Sequence, residues 1–368
     1  MASEMLYPIV PVYLKELGFS VLLIGILEGV AEFTAGFTKG YFGKRSDEKG
    51  LRLPFVKAGY FLSALSKPMM AVFTWPFWIF SARTMDRLGK GLRTAARDAL
   101  LSQQATPQTK GRVFAFHRGM DTMGAVAGPL LALAYLYHYP NQYATLFYIA
   151  FIPGLISVAL IFLLKEERQP VSTVGKGHFF SFLRYWKIAN PEYKKLVAGL
   201  LIFTLFNSSD VFLLLKTKAI TGNDTTTIAA YIFYNLVYAM ASYPMGMLAD
   251  KLGMRKVFTA GLLVFSAVYF LFAYVPSTYG IFAAFLLYGL YAAATEGIAK
   301  AWISNLAHRE NTATALGFYA SSQSIMTFLA SSLTGLIWVA AGDQTPFLVT
   351  GTGSLLLFFY FCLGRFRS

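Results

Sequence analysis

Four charged residues within one apolar stretch are the first indication of chemistry in this sequence. Arg83, Asp86, Arg87 and Lys90 fall in residues 76–103 at spacings of three and four. On a helix these positions share one sector about 100° wide. A charged group at the centre of a lipid bilayer costs about 2.5–3.5 kcal/mol on insertion scales, so this face must line water, other protein groups or a substrate path.

Acids that could pair with these bases come from neighbouring apolar stretches. A carboxylate beside an arginine can take up and release a proton when a cavity changes its exposure. We therefore predict proton coupling, with Asp121 beside Arg118 and Arg87 as the first candidate. A permanently paired network that only orients the helices is the alternative for each residue. The proton-coupling candidates are Asp121, Glu28, Glu32, Arg87, Arg118 and Glu4.

A second set of residues is predicted to line a substrate cavity. A basic wall from the first half and an aromatic, mildly polar wall from the second would suit an amphipathic organic anion. The cavity candidates are Arg83, Asp86, Lys90, His117, Asn207, Asp210, Asn235, Tyr238, Tyr291, Glu296 and Gln323.

The sequence gives little support for a metal site, a cofactor or an enzyme active site. Cys362 is the one cysteine and the four histidines are scattered, so we expect neither a metal site nor a cofactor. Residues with the spacing of a nucleophile and its base are absent, which disfavours an enzyme. The net charge of +14 is interpreted as orientation in a membrane rather than as nucleic-acid binding.

The elements that position these residues are predicted to be membrane-spanning helices. The chain is 56% hydrophobic and 14% charged, with a mean hydropathy of +0.52, whereas soluble domains carry about 25% charged residues. Apolar runs predict an all-α integral membrane protein of about 12 spans. The first run, 2–14, reaches only about 20 Å as a helix, so we expect a first helix shortened at its N-terminal end.

Loop charges predict the orientation of these spans. Lys and Arg concentrate in the loops after even-numbered spans, so those loops and both termini should lie in the cytoplasm of a cell membrane. The longest polar segment divides the chain into a helical bundle at 1–164, a cytoplasmic linker at 165–195 and a second bundle at 196–368. Aromatic and basic residues in the linker predict a short interfacial helix.

One motif occurs twice at equivalent places. Both loops follow the pattern G-x-x-x-D-x-x-G-x-R, and its glycines, aspartate and arginine recur at an offset of 203 residues (246 − 43). Such repetition after the second helix of each half indicates two related halves of six helices. The residues are Gly43, Asp47, Gly50 and Arg52 in the first copy and Gly246, Asp250, Lys251, Gly253, Arg255 and Lys256 in the second.

This pair of loops resembles the loop signature of the major facilitator superfamily, over essentially the whole chain. The resemblance implies two pseudo-symmetric six-helix bundles and a cytoplasmic gating latch formed by the motif residues. Glu48 and Leu51 depart from the family pattern, which implies a weaker latch in the first half. A tight turn with solvated charges is the alternative interpretation.

Two further stretches resemble signatures of the same family. Residues 87–95 resemble a fourth-helix pattern whose arginine is linked to proton coupling. Gly124, Gly128 and Pro129 match the core of a helix-packing motif of antiporters. The resemblance implies a secondary active transporter that moves a small organic solute by alternating access, with protons coupled, and export is the direction that the antiporter motif favours. A non-transporting receptor or scaffold of the same fold is the alternative, because a short first helix would impair cycling.

Overall fold

The computed structural model describes residues 2–7, 9–166, 179–222, 224–274 and 277–364. Helices fill most of these residues, and none of them forms a β-strand. The helices are α1 (Ala2–Leu6), α2 (Ile9–Glu16), α3 (Val21–Lys49), α4 (Leu53–Val72), α5 (Pro76–Gln103), α6 (Lys110–His138), α7 (Tyr143–Phe162), α8 (Tyr185–Ile188), α9 (Pro191–Phe206), α10 (Val211–Thr221), α11 (Asp224–Leu252), α12 (Met254–Tyr274), α13 (Thr278–Leu306), α14 (Thr312–Ala341) and α15 (Thr345–Leu363). Two 3₁₀ turns precede α8 and α14.

Seven helical segments of the described residues are long and apolar enough to cross a bilayer: Lys110–His138, Tyr143–Phe162, Pro191–Thr221, Met254–Tyr274, Thr278–Leu306, Arg309–Ala341 and Thr345–Leu363. Helices α3 and α5 are 29 and 28 residues long, which is ample length to span. They are less apolar because each carries charged residues in its interior. All-helical construction follows from the bilayer as solvent, in which backbone N–H and C=O groups must be paired within the helix.

The chain folds into two compact units that interleave along the sequence. Unit 1 comprises Met1–Leu100, Met123–Ile188 and His308–Ser321. Unit 2 comprises Leu101–Thr122, Ala189–Ala307 and Ser322–Ser368. Helices α5, α6 and α14 therefore contribute residues to both units.

In unit 1, the short first helices are part of the core. Val10 and Leu14 are fully buried, and α1 and α2 pack against α7. The Tyr13 hydroxyl donates to the carbonyl of Met70 at 3.3 Å, and its ring lies 5.0 Å from that of Phe147. In a bilayer, close packing and this hydrogen bond, rather than removal from water, hold the N-terminal segment in unit 1.

In unit 2, the core is mainly aromatic. The ring of Phe265 lies 4.4 Å from that of Tyr269 and 4.5 Å from that of Tyr291, and Trp302 is fully buried near Phe258. Tilted and edge-on contacts of this kind suit the ring quadrupoles. They fix α12 against α13, the helix that carries the predicted cavity residues Tyr291 and Glu296.

The sequence predicts a continuous span at 194–216, but the structure divides it. Helix α9 ends at Phe206, α10 begins at Val211, and the four residues between them are Asn207, Ser208, Ser209 and Asp210. Short polar side chains of this kind compete for backbone hydrogen bonds and disfavour helix interiors. At the break the Ser209 N–H donates to the Ser331 hydroxyl at 3.2 Å, between the predicted cavity residues Asn207 and Asp210.

Residues 167–178 of the predicted linker lie outside the described residues, while 179–188 form a 3₁₀ turn and α8. Phe182 is buried against Gly40, where a side chain on the glycine would collide with its ring. Trp186 stacks on Phe318 with ring centroids 5.6 Å apart. Phe180 remains exposed, so a place at the membrane surface for this segment stays a prediction.

Candidate functional site

Two arginines of α5 pair with two acids of α3 inside unit 1. Arg83 donates to both carboxylate oxygens of Glu28, at 2.7 and 2.8 Å. Arg87 lies 2.9 Å from Glu32 and 3.6 Å from Glu28. Both arginines are buried, whereas the side chain of Glu32 is 56% exposed. A forked guanidinium–carboxylate contact is among the strongest polar interactions in proteins, so this pairing offsets the cost of burying the charges.

The third acid of this network pairs with a lysine that the sequence analysis missed. Asp86 accepts from Lys67 of α4 at 2.6 Å and from the Ser63 hydroxyl at 2.6 Å, and it lies 3.6 Å from Arg83. Lys67 also donates to the hydroxyls of Ser63 and Ser3 at 3.3 and 3.0 Å. The available signal was a lysine in the middle of the apolar run 53–73.

A small cavity adjoins this lysine. Its volume is about 20 Å³, enough for a water molecule. Lys67, Asp86 and Arg83 line it together with the hydroxyl residues Ser3 and Ser66. Polar groups on one wall make it suited to water rather than to an apolar guest.

Lys90 and Glu4, two further candidates of unit 1, lie near the network. Lys90 is exposed and Glu4 is half-buried, and both interact electrostatically with other members of the cluster. Gly124, Gly128 and Pro129 lie within α6, which continues through the proline to His138.

In unit 2, Arg118 joins three helices. Its guanidinium donates to the Tyr238 hydroxyl of α11 at 2.7 Å, and it contacts Asp121 at 3.2 Å and Glu296 of α13 at 2.5 Å. Both carboxylates are partly exposed, 50% for Asp121 and 39% for Glu296. Two carboxylates therefore share one guanidinium at a place that solvent can reach.

The break between α9 and α10 brings polar groups to the tyrosines of α13. The Tyr288 hydroxyl donates to Asp210 at 2.7 Å, and the Asn207 amide donates to the Tyr291 hydroxyl at 3.0 Å. Asn235 donates instead to the carbonyl of Tyr231 on its own helix. His117 and Gln323 are half-buried on α6 and α14.

In the first motif loop, Gly43–Arg52, the aspartate caps a distant helix. Asp47 accepts from the backbone N–H and the hydroxyl of Thr314, at 2.7 and 2.8 Å, in the first turn of α14. Arg52 donates to the same carboxylate at 3.0 Å and to the carbonyl of Arg309 at 3.2 Å. Burial raises the pKa of Asp47 to about 6, and the Arg52 charge and the Thr314 hydrogen bonds oppose that shift. We call Gly43–Arg52 the first capping loop; the sequence predicts a loop here, but residues 43–49 form the last two turns of α3 and only 50–52 lie outside a helix.

In the second motif loop, Gly246–Lys256, the aspartate also caps a helix. Asp250 accepts from the backbone N–H groups of Gly111 and Arg112, at 2.8 and 3.0 Å, in the first turn of α6. Thr314 follows Gly111 by 203 residues (314 − 111), the offset that relates the two motifs. We call Gly246–Lys256 the second capping loop; the sequence predicts a loop here, but residues 246–252 end α11, residues 254–256 begin α12 and only Gly253 lies between them.

The backbone geometry and the close contacts of the motif glycines explain why the pattern requires glycine. Gly50 and Gly253 have φ of 62° and 96°, the left-handed region in which a side chain is strained. A side chain at Gly43 would meet the carbonyl of Ala313, and one at Gly246 would meet that of Gly111. The first glycine of each motif thus lets the capped helix approach its aspartate.

The remaining motif residues differ between the loops. Arg255 donates to the carbonyls of Phe361 and Cys362 at the end of α15. Lys251 and Lys256 are exposed.

Comparison with known proteins now assigns the family. The family model of the Major Facilitator Superfamily matches residues 1–233 and 196–368. The chain belongs to the Major Facilitator Superfamily. An uncharacterised transporter of this superfamily from Methanocaldococcus jannaschii is 32% identical over 97% of this chain and 91% of the relative. The multidrug resistance protein MdtH of Edwardsiella ictaluri is 28% identical over 36% of this chain and 34% of the relative.

Solved structures of the superfamily share the fold. The human organic anion transporter MFSD10 superposes with a TM-score of 0.82 at 15% identity, covering 98% of this chain and 95% of that one. The fucose:proton symporter FucP of E. coli gives 0.81 at 12% identity, covering 98% and 94%. Membership confirms the predicted fold class and identifies a multi-pass membrane protein.

Two polar contacts outside the superfamily motifs were also missed from the sequence. Glu166, after α7, accepts from the backbone N–H groups of Arg52 and Leu53 at 2.6–2.9 Å and so caps α4. Lys216 of α10 pairs with Asp343 at 2.6 Å. Both join residues more than a hundred positions apart, which no local pattern indicates.

Proposed function

We propose that this chain is a secondary active transporter that moves a small organic solute by alternating access and couples it to protons. Membership in the superfamily points to a transporter rather than an enzyme. The observation that carries the coupling is the sharing of Arg118 by Asp121 and Glu296.

The charge balance of this cluster favours a bound proton. Three acids, Asp121, Asp210 and Glu296, interact with the guanidinium of Arg118. Like charges that lie close together disfavour the ionisation of all three acids at once, so one of them gains from protonation. Because Asp121 and Glu296 are both partly exposed, a proton can reach them. The charge of Arg118 stabilises whichever of the two acids is ionised.

The capping loops supply the gate in this proposal. Helix capping by an acid contributes on the order of 1 kcal/mol, which is small enough to be broken and remade in a cycle. The gate would act between bundles at 1–164 and 196–368 joined by the 165–195 linker. The loops and both termini would lie in the cytoplasm, with the chain in the cell membrane.

The proposed substrate class is an amphipathic organic anion. The exposed Lys90 would supply positive charge to such a substrate, and the predicted cavity residues Tyr238 and Tyr291 would supply aromatic rings. Export is supported by the antiporter-like residues Gly124, Gly128 and Pro129 and by the partial match to a multidrug resistance protein.

The test begins with binding of simple aromatic carboxylates, benzoate and naphthoate, detected as thermal shifts of the purified protein at two pH values. A carboxylate that binds is then added to proteoliposomes loaded with the pH dye pyranine, and the signal of protein-free liposomes, which reports passive entry of the neutral acid, is subtracted. We expect it to drive proton movement in the wild type. Asp121→Asn combined with Glu296→Gln should abolish that movement because both shared acids are neutral.

Asp343→Asn is the matched control, since its acid belongs to unit 2 but pairs with Lys216 instead. It should retain coupled proton movement. Wild-type proton movement in the double variant would refute the coupling site. Binding without proton or solute movement in any variant would favour the receptor alternative.

A further inference from the structure

The ionic network of unit 1 is an ordered ladder of alternating charges. It runs from Glu32 to Arg87 at 2.9 Å, to Glu28 at 3.6 Å, to Arg83 at 2.7 Å, to Asp86 at 3.6 Å and to Lys67 at 2.6 Å. Three acids alternate with three bases, so the ladder is neutral when every group is ionised.

Each arginine of the ladder has one near acid and one farther acid. Arg87 is close to Glu32 and farther from Glu28, and Arg83 is close to Glu28 and farther from Asp86. A guanidinium presents five donors in a planar fork and can contact two carboxylates at once. Each arginine can therefore change its preferred acid by a small rotation, without leaving the network.

The two ends of the ladder differ in exposure. The Glu32 side chain is 56% exposed, whereas that of Lys67 is 5% exposed and lies against the water-sized cavity. A proton can thus reach the Glu32 end, while the Lys67 end is enclosed next to Ser3 of α1.

We propose that protonation of Glu32 shifts every arginine one acid along this ladder and delivers the surplus positive charge to Lys67. When Glu32 is neutral, Arg87 pairs more closely with Glu28. Arg83 then pairs more closely with Asp86. As a result, the contact between Asp86 and Lys67 weakens. The ammonium then depends on the hydroxyls of Ser63 and Ser3 and on water in the cavity. A proton bound at the accessible end is thereby sensed at the first helix.

Other charged groups set the balance at each end. Glu32 is influenced by Lys90 and Arg83 of α5 and by Lys39 of its own helix, in addition to Arg87. Glu4 and Tyr7 of the first helical segment face the same cluster. Lys67 is influenced by Arg83 and Arg93 besides Asp86. These groups set the electrostatic background in which Glu32 gains or loses a proton.

The proposal rests on the proton coupling proposed above, but its test measures proton binding and needs no transport. Infrared difference spectra of the purified protein between about pH 8 and about pH 5 report the carboxyl groups that take up protons. The band that disappears in Glu32→Gln belongs to Glu32. Lys67→Gln keeps a donor for Asp86 but removes the charge, and it should move the midpoint of that band upward by about half a pH unit or more.

Lys57→Gln is the matched control, because Lys57 lies on the same helix over the ring of Phe162. It should leave the midpoint in place. Lys67→Arg, which keeps the charge, should restore the wild-type midpoint. Equal midpoints in the wild type and Lys67→Gln would overturn the proposal.

A double-mutant cycle separates the ladder from direct attraction through space. Arg83→Lys keeps the charge but cannot fork between Glu28 and Asp86. In that background Lys67→Gln should no longer move the Glu32 midpoint, and a shift that persists would show that no ladder is needed.

If Lys67→Gln fails to fold, Lys67→Gln with Asp86→Asn removes the buried pair together. The last acid of the ladder is then absent, so the Glu32 midpoint should fall below that of the wild type, and an unchanged midpoint would overturn the proposal. A ladder response without pH-driven flux in proteoliposomes would refute the proposed function alone. Flux without a ladder response would refute this inference alone.

Discussion

The first and second capping loops set their aspartates on equivalent backbone positions but differ in how they hold them. Asp47 reaches Thr314 and Asp250 reaches Gly111, residues related by the repeat. Arg52 neutralises Asp47 inside the fold, where both side chains are almost fully enclosed. At Asp250 the base is Arg112, 44% exposed and 3.3 Å away.

In both loops an aspartate caps the helix, whereas the base that balances its charge comes from a different place in each loop. Capping needs a carboxylate at one geometry, because the N–H groups of a helix end point along its axis. The balancing positive charge can come from any nearby chain segment. The sequence predicts a weaker latch in the first half of the chain. The unfolding of Asp47 and Asp250 variants tests that prediction.

The largest expected effect is a difference in stability between variants of the two aspartates. Asp47→Ala should lower the free energy of unfolding by about 3–5 kcal/mol, because it leaves the buried Arg52 charge without a partner. Asp250→Ala should cost about 1–2 kcal/mol, the loss of a helix cap beside a solvated arginine. Equilibrium unfolding in detergent micelles measures both, and equal losses would remove the distinction between the loops.

The cap supplied by Glu166 should have the next largest effect. Glu166→Ala leaves the N–H groups of Arg52 and Leu53 without their acceptor, so we expect a loss of about 1–2 kcal/mol. Helix α4 has no capping bond from the side chain of its own N-cap residue, Arg52. Glu16→Ala, at an exposed position of α2, is the control and should be nearly neutral in the same unfolding assay. A loss no greater than that of the control would mean that water replaces this cap.

The smallest expected effect is a pH dependence at the first capping loop. The pKa of Asp47 is raised from 3.8 to about 6 by burial, so the folded state binds a proton more tightly than the unfolded state. Between these values stability should therefore fall as pH rises. Lowering the pH from about 7 to about 5 should stabilise the wild type relative to Asp47→Asn by about 1 kcal/mol. Thermal unfolding of both proteins across this range is the measurement, and the opposite slope would contradict the burial of the carboxylate.

Much of the fold followed from the sequence because bilayer physics leaves few choices. Long apolar runs predicted helices, and the repeated motif predicted the superfamily that comparison confirmed. Helical periodicity put Arg83, Asp86 and Arg87 on one face, and the structure buries all three together.

The partners of those charges were harder to foresee. Lys67 in an apolar run has the pattern of a lysine that extends to the membrane surface, and nothing local indicates Asp86 on the next helix. Glu166 and Arg112 act on residues more than a hundred positions away, so their contacts depend on tertiary packing alone. The four polar residues after Phe206 did carry a signal for the helix break, but the apolar residues around them favoured a continuous span.

Reciprocal capping constrains the order in which the chain can finish folding as it is synthesised. The first turn of α6 leaves the ribosome before Asp250, which follows Gly111 by 139 residues. The helix end that Asp47 caps is synthesised later still, because Thr314 lies 267 residues downstream of Asp47. Each half of the chain therefore contains helix ends whose capping acid lies in the other half. These helix ends can be capped only after most of the chain has been synthesised.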